Sequence, residues 1–248
     1  MTHRFFLSPE LLNKHEIDFP ADLARQIGRV LRLKSGAKVI VLDNCGRQAD
    51  VELVMVAADQ VAGRVLSISP ASGEPAARLT LYLGLTQREK FEWMLQKCTE
   101  VGAATFVPLV TQRSLVQDGR EVERKRVRWE AILREAAEQC ARGRIPELRP
   151  ALNWTAALGD ACENHDLALA AWEGERSLRL REALGVVKGI AAPRLGLLIG
   201  PEGGLSEEEI EAARMAGVQA VTLGKRVLRM ETAAVVAAAL ALDELEEG

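Results

Sequence analysis

The stretch Leu195–Ala239, LGLLIGPEGGLSEEEIEAARMAGVQAVTLGKRVLRMETAAVVAAA, decides the fold. It opens with the unbroken apolar run Leu195–Ile199, the pattern of a strand buried on both faces of a parallel sheet. The run stops at Gly200-Pro201-Glu202-Gly203-Gly204, a turn with little side-chain bulk whose backbone a ligand can approach closely. Ser206, with Glu209 three residues later, reads as a capping box that starts a helix. Val218–Leu223 is a second buried strand, and Gly224 begins a loop carrying Lys225, Arg226 and Arg229. Glu231-Thr232 then opens an Ala-rich final helix. Two strands therefore end in glycine-bearing loops at one sheet edge, where open α/β sheets bind ligands.

The turn constrains the ligand. A glycine loop before a helix usually holds phosphate through backbone N–H groups and the helix dipole. Here Glu207, Glu208 and Glu209 fill the first helical turn, so a phosphate would meet three carboxylates. Neither GxxxxGK[ST] nor GxGxxG occurs at this turn. A small ligand without phosphate fits better than a nucleotide triphosphate or a dinucleotide.

Working outward, strands and helices alternate. Leu79–Leu85, Thr105–Val110 and Leu167–Ala171 read as strands, and Glu89–Val101, Val122–Arg142 and Leu178–Val187 as helices. This predicts an α/β domain with a mostly parallel sheet. Pro70–Arg78, PASGEPAAR, reads as a linker, and residues 1–72 before it as a small β-rich unit with strands at Val39–Leu42, Ala49–Val56 and Val61–Ile68. A helix is predicted over Ala21–Leu31, with Arg25, Arg29, Arg32, Lys34 and Lys38 on it and after it.

At 248 residues and 48% hydrophobic composition, the chain has enough apolar material for a large core. Cys45, Cys98, Cys140 and Cys162 are scattered, which predicts reduced thiols in a cytoplasmic protein and no metal site. No charge-free apolar run reaches membrane-spanning length, and a signal-peptide pattern is not seen, so no membrane role is expected. A net charge of −3 does not by itself suggest a nucleic-acid partner; the distribution of charge matters more.

GPEGG followed by LGKRVLRMETA resembles the cofactor-binding half of the SPOUT class of RNA methyltransferases. The chain is most similar to the ribosomal small subunit methyltransferase E family, which methylates N3 of a uridine in 16S rRNA. His3-Arg4-Phe5-Phe6, Val30-Leu31-Arg32-Leu33, Gln96–Gly102, Arg113-Ser114 and the run EAAEQCAR at Glu135–Arg142 agree in order, with Val101 and Met230 as mild departures. The resemblance implies a PUA-like RNA-binding β-barrel over residues 1–72. It implies a SPOUT methyltransferase domain over 73–248, with a parallel sheet and a C-terminal trefoil knot. It further implies a homodimer that binds S-adenosyl-L-methionine and 16S rRNA of the small ribosomal subunit.

Carried onto this sequence, the cofactor site comprises Leu198, Gly200, Pro201, Glu202, Gly203, Gly204, Leu223, Gly224, Val227, Leu228, Arg229, Thr232 and Ala233, with the strand end Ala170–Glu173 closing around it. Because this cofactor brings no phosphate, the Glu207–Glu209 carboxylates do no harm. Arg25, Arg29, Arg32 and Lys34 would grip RNA phosphates, joined by Arg113, Arg142 and Arg144. Uridine N3 carries an imide proton and becomes a nucleophile once deprotonated. A guanidinium beside O2 or O4 suits the charge that develops on the ring. Arg229 is the candidate for that task, and Glu231 would orient Arg229 or accept the proton through water. Glu231 equally suits a plain helix-start carboxylate. Two other readings compete: 2′-O-ribose methylation within the same superfamily, and a non-catalytic RNA-binding assembly factor. The ETA triplet and the β-rich N-terminal unit favour N3 chemistry over the former, and the intact GPEGG and LRMETA motifs disfavour the latter.

Overall fold

The computed structural model describes residues 2–117 and 120–246; Met1, Asp118, Gly119, Glu247 and Gly248, which fall within the expected domain ranges, lie outside the described residues. The chain forms two compact units, residues 1–74 with 137–145, and residues 75–136 with 146–248. The expected break at 72/73 thus falls two residues early. Residues 137–145, expected in the second domain by their place in the chain, belong with the first unit.

The first unit contains β1 (Arg4–Phe6), α1 (Pro9–Leu12), β2 (Glu16–Asp18), α2 (Ala21–Arg25), β3 (Lys38–Leu42), β4 (Arg47–Val56) and β5 (Val61–Pro70). The strands form one mixed sheet in the order β1-β3-β4-β5-β2, with β1 parallel to β3 and the other pairs antiparallel. Alternation sets its faces: Ala49, Val51 and Leu53 are buried, whereas Asp50 between them is exposed. Leu12, Ile17, Ile27 and Val41 pack with them in one core cluster. The helix predicted over Ala21–Leu31 is α-helical only to Arg25 and continues as a π-turn over Gln26–Val30. Arg25, Arg29, Arg32, Lys34 and Lys38 are all exposed around this turn, and Arg32 holds a left-handed backbone at φ 52°.

Within this unit Pro70–Arg78 is not a free linker throughout. The Glu74 carboxylate accepts hydrogen bonds from Arg142 at 2.9 and 3.3 Å and from the Arg144 amide at 3.0 Å. Arg142 is 2% exposed. Its assignment as an RNA contact is therefore corrected, because a guanidinium enclosed in protein and committed to a carboxylate cannot reach a phosphate. Arg144 is exposed, but its Nη2 donates to the Cys45 carbonyl at 2.7 Å. Arg142→Ala is expected to cost about 3 kcal/mol of stability, as for other buried pairs that lose one partner. A lowered denaturation midpoint would show this, and an unchanged midpoint would argue against it.

The second unit adds β6 (Arg78–Gly84), α3 (Arg88–Val101), β7 (Thr105–Val110), α4 (Arg120–Gln139, whose last turn belongs to the first unit), β8 (Glu147–Leu148), β9 (Leu152–Asn153), α5 (Trp154–Asn164), β10 (Leu167–Ala171), α6 (Leu180–Leu184), β11 (Arg194–Ile199), α7 (Glu207–Ala216), β12 (Gln219–Val221) and α8 (Met230–Glu246). Its seven strands form a wholly parallel sheet in the order β12-β10-β11-β6-β7-β8, with β9 also on β7. Apart from an exposed first residue, β6 and β11 are buried throughout, as the unbroken apolar run Leu195–Ile199 predicted for β11. Helices α3, α6 and α8 pack together, with α8 against β6 and β11, while α5 and α7 pair with each other. The winding of the chain across the sheet reverses between the adjacent parallel strands β6 and β11, since β6 leads to β7 on one side and β11 leads to β12 on the other. That reversal is the switch point at which parallel sheets place their ligands.

Helix α5 was not anticipated. Its signal is present in hindsight: Asn153 caps it by accepting from the Ala156 amide at 2.9 Å, and Trp154, Ala157, Leu158 and Ala161 form its buried stripe.

Candidate functional site

At the carboxyl ends of β10, β11 and β12, three loops enclose a cleft of about 330 Å³. The loop after β10 supplies Trp172, Glu173 and Arg176, and that after β11 supplies Gly200 to Leu205. The loop after β12 runs from Thr222 to Arg229, and the first turn of α8 adds Met230, Glu231 and Ala233. Lys90 on α3 completes the wall.

The GPEGG turn is short because the Gly204 amide donates to the Pro201 carbonyl at 2.9 Å. Ser206 and Glu209 then make the reciprocal capping box read from the sequence. Glu202 is fixed by Thr86, whose hydroxyl donates to it, and by Lys90 at 3.1 Å. Burial raises its proton affinity, but the bonds from Thr86, the backbone and Lys90 outweigh that and hold the carboxyl below its ordinary value. It is thus an anchored anion.

The loop after β10 is ordered by Glu175. One carboxylate oxygen accepts from the amides of Arg176 and Ser177 at 2.9 and 2.8 Å, and from the Ser177 hydroxyl at 2.7 Å. These bonds, led by the one from the Ser177 backbone, lower its pKa to about 2. A carboxyl depressed on folding stabilises the fold above its ordinary pKa of 4.5, and that contribution fades as pH falls towards 2. Glu175→Gln is therefore expected to flatten stability against pH between those values; identical slopes in parent and variant would contradict this.

Of the residues expected to hold the cofactor, Gly200 to Gly204, Leu223, Gly224, Val227, Leu228, Arg229 and Ala233 line the cleft. Leu198 does not: it lies in the core cluster with Trp154, Leu158 and Ile210, and Ile199 reaches the cleft one residue later. Thr232, exposed on α8, is also not among the lining residues. Arg229 is exposed in the cleft mouth, and its carbonyl accepts the Ala233 amide at 2.8 Å, starting α8. Glu231 lies in the next turn of the wall; its Oε2 is buried without a hydrogen-bond partner. Among the described residues no ion pair or hydrogen bond joins it to Arg229, so the orienting role considered for it has no contact behind it.

Arg113 is placed at the cofactor turn, where its Nη1 donates to the Gly203 carbonyl at 2.9 Å. Sequence reasoning missed Arg176, Ile199, Leu205 and Thr222 as lining residues. A signal existed for Arg176: it follows Gly174 just after the apolar run Leu167–Ala171, repeating the strand-then-glycine pattern of β11. Among the described residues no cluster of His, Cys, Asp and Glu could hold a metal ion, and no helix is long and apolar enough to cross a membrane.

Comparison with known proteins agrees with this architecture. Residues 73–242 match the family model described as an RNA methyltransferase domain. The chain is 34% identical over 212 residues to ribosomal RNA small subunit methyltransferase E of Bacillus subtilis, covering 84% of this chain and 82% of that protein. It is 31% identical to the protein of the same name from Synechocystis, over 96% of this chain and 77% of that one. The crystal structure of ribosomal RNA small subunit methyltransferase E from Neisseria gonorrhoeae bound to S-adenosyl methionine superposes with a TM-score of 0.84 at 27% identity, over 97% and 96% of the two chains. With its own sheet, switch-point cleft and GPEGG turn in place, the chain belongs to the ribosomal RNA small subunit methyltransferase E family.

Proposed function

We propose that this protein transfers a methyl group from S-adenosylmethionine to N3 of a uridine in 16S rRNA of the small ribosomal subunit. The observation that carries the reading is the cleft itself. It combines a glycine turn hostile to phosphate, an orphaned buried carboxylate oxygen on Glu231 and an exposed guanidinium on Arg229. These residues fit the cofactor. It is a zwitterion with a sulfonium and no phosphate, so its cationic groups match Glu173, and its carboxylate matches the cations Arg176 or Arg226. The backbone of Gly200 to Gly204 and the apolar Ile199, Leu223 and Leu228 would hold the adenosine.

When bound, the cofactor supplies the electrophilic methyl group. The protein's part is to hold the uracil ring in line with that methyl, which removes much of the entropic barrier. It must also receive the ring once the base is turned out of its helix. Arg229 faces O2 or O4 and stabilises the imide anion, and Glu231 accepts the N3 proton through water. Arg25, Arg29, Arg32 and Lys34 present an exposed basic surface on the first unit, which suits RNA phosphate. That unit is read as a PUA-like barrel, a reading supported by its five-stranded mixed sheet around one apolar core. The trefoil knot is supported by the path of the chain: from the edge strand β12 it returns through residues 222–229 to place α8 against the central β6 and β11. The protein is read as cytoplasmic and homodimeric; exposed Leu240 on α8 and Val186 in the turn after α6 are in keeping with the dimer.

The test is methyl transfer from labelled S-adenosylmethionine to small subunits lacking the modification, followed by nucleoside analysis. Label in 3-methyluridine is the expected result; label on a ribose would favour the 2′-O alternative. Cofactor binding without transfer would point to a different RNA or an earlier assembly state, and failure to bind the cofactor at all would favour the assembly-factor alternative.

A further inference from the structure

We infer that Arg113 is a positioning residue of the cofactor turn rather than a contact to RNA phosphate. The inference rests on the cleft being the S-adenosylmethionine site. Arg113 stands on a turn, Thr111–Gln117, that is tied to itself. The Thr111 amide donates to the Ser114 hydroxyl at 3.0 Å, and Gln117 Nε2 donates to the carbonyls of Thr111 and Ser114 at 3.1 and 2.7 Å. Thr111 and Ser114 are buried, so the turn has a fixed seat.

From that seat it grips the GPEGG–α7 junction twice. The Gln112 amide donates to Glu209 Oε1 at 2.8 Å, while Glu209 Oε2 accepts the Ser206 amide at 2.9 Å. Arg113 Nη1 donates to the Gly203 carbonyl at 2.9 Å. The second bond has a specific consequence. The Gly203 carbonyl and the Gly204 amide belong to one planar peptide and point in opposite directions. Arg113 holds the carbonyl, and the Pro201 carbonyl holds the amide at 2.9 Å, so this peptide is pinned at both ends and cannot flip. Gly203 and Gly204 line the cleft, whereas Arg113 does not. Arg113 thus fixes the shape of the binding surface without touching what is bound.

The contact is close enough to exclude a side chain at 203. A Cβ there would lie 3.0 Å from Arg113 Cβ, tighter than ordinary van der Waals contact. Gly203→Ala should therefore push the Arg113 stem away and weaken the same hydrogen bond.

The experiment measures S-adenosylmethionine affinity by calorimetry, together with the KM for small subunits and its salt dependence, in the parent protein, Arg113→Ala, Gly203→Ala and the double variant. Losing a charge-assisted bond to a carbonyl is expected to weaken cofactor affinity roughly 10-fold in Arg113→Ala. The subunit KM and its salt slope should be unchanged, and the two substitutions should combine less than additively. Unchanged cofactor affinity with a raised subunit KM and a shallower salt slope would make Arg113 a phosphate contact and overturn the inference. Unchanged values for both would overturn it as well. If Arg113→Ala does not fold, Gly203→Ala alone carries the test, and parental affinity in that variant counts against the inference. A parent protein that binds no S-adenosylmethionine would overturn the cofactor reading itself, a failure distinct from the others.

Discussion

Replacing Arg229 by Ala is expected to lower the rate of methyl transfer by about 10²–10³-fold, the usual cost of removing one preorganised group that faces developing charge. Affinity for S-adenosylmethionine should change little. The split follows from where the residue stands. Its carbonyl starts α8 and would still do so in the variant, because the substitution leaves the backbone bond to the Ala233 amide in place. The guanidinium itself is exposed where Arg229 lines the cleft. Single-turnover rates with labelled cofactor, set beside calorimetric binding, measure both halves. Parental rates in the variant would remove Arg229 from the mechanism. A loss of cofactor affinity that accounts for the whole rate defect would make it a binding residue only.

Gly84→Ala is expected to disable the site from beneath. Gly84 ends β6, and a Cβ there would lie 2.5 Å from the Pro201 nitrogen and 2.9 Å from its Cα. Those are backbone atoms of the GPEGG turn, flanked by the buried β11 and by Glu202 in its bonds to Thr86 and Lys90. Neither side can give way cheaply, so the turn must lift. The expected cost is about 1–3 kcal/mol of stability, as for other overpacked sites. Because the displaced segment is the cofactor loop, S-adenosylmethionine binding should be lost at concentrations that saturate the parent. Thermal denaturation and calorimetry check the two parts. Parental affinity in a folded variant would show that the turn tolerates displacement.

The GPEGG turn and Gly84 were legible to different degrees. GPEGG announces itself because three glycines, a proline and a glutamate end an apolar run. Gly84, at the end of Leu79–Leu85, looks like any residue in a buried strand. Only the pairing of β6 with β11 shows that it carries the turn of the next strand across its own end.

The arginines show the same boundary between sequence and structure. Arg113, Arg142 and Arg144 were grouped as RNA contacts because they are cations in family motifs. The fold separates them: Arg142 is buried on Glu74, Arg113 holds the Gly203 carbonyl, and Arg144 holds the Cys45 carbonyl while remaining exposed. A cation's sequence position says nothing about which acceptor lies within 3 Å once residues many positions away are brought together. Arg25, Arg29, Arg32 and Lys34 stay exposed together because a short helical segment and the turn after it keep neighbours in sequence neighbours in space.

What the sequence determined by itself is everything carried by local periodicity and local chemistry. The unbroken apolar runs required a sheet buried on both faces, Ser206 and Glu209 required a helix start, and the acidic first turn of α7 excluded a phosphate ligand. What only the tertiary structure decided is which loops meet. The order β12-β10-β11-β6-β7 brings Trp172, Gly203 and Arg229 around one cleft, turns Leu198 into the core and leaves Ile199 at the edge. It also sets Arg113 on the Gly203 peptide and leaves one oxygen of Glu231 buried without a partner. The physical reason is that strand order and strand register are non-local: both are fixed by how apolar faces bury one another across the whole unit, and no window along the chain contains that information.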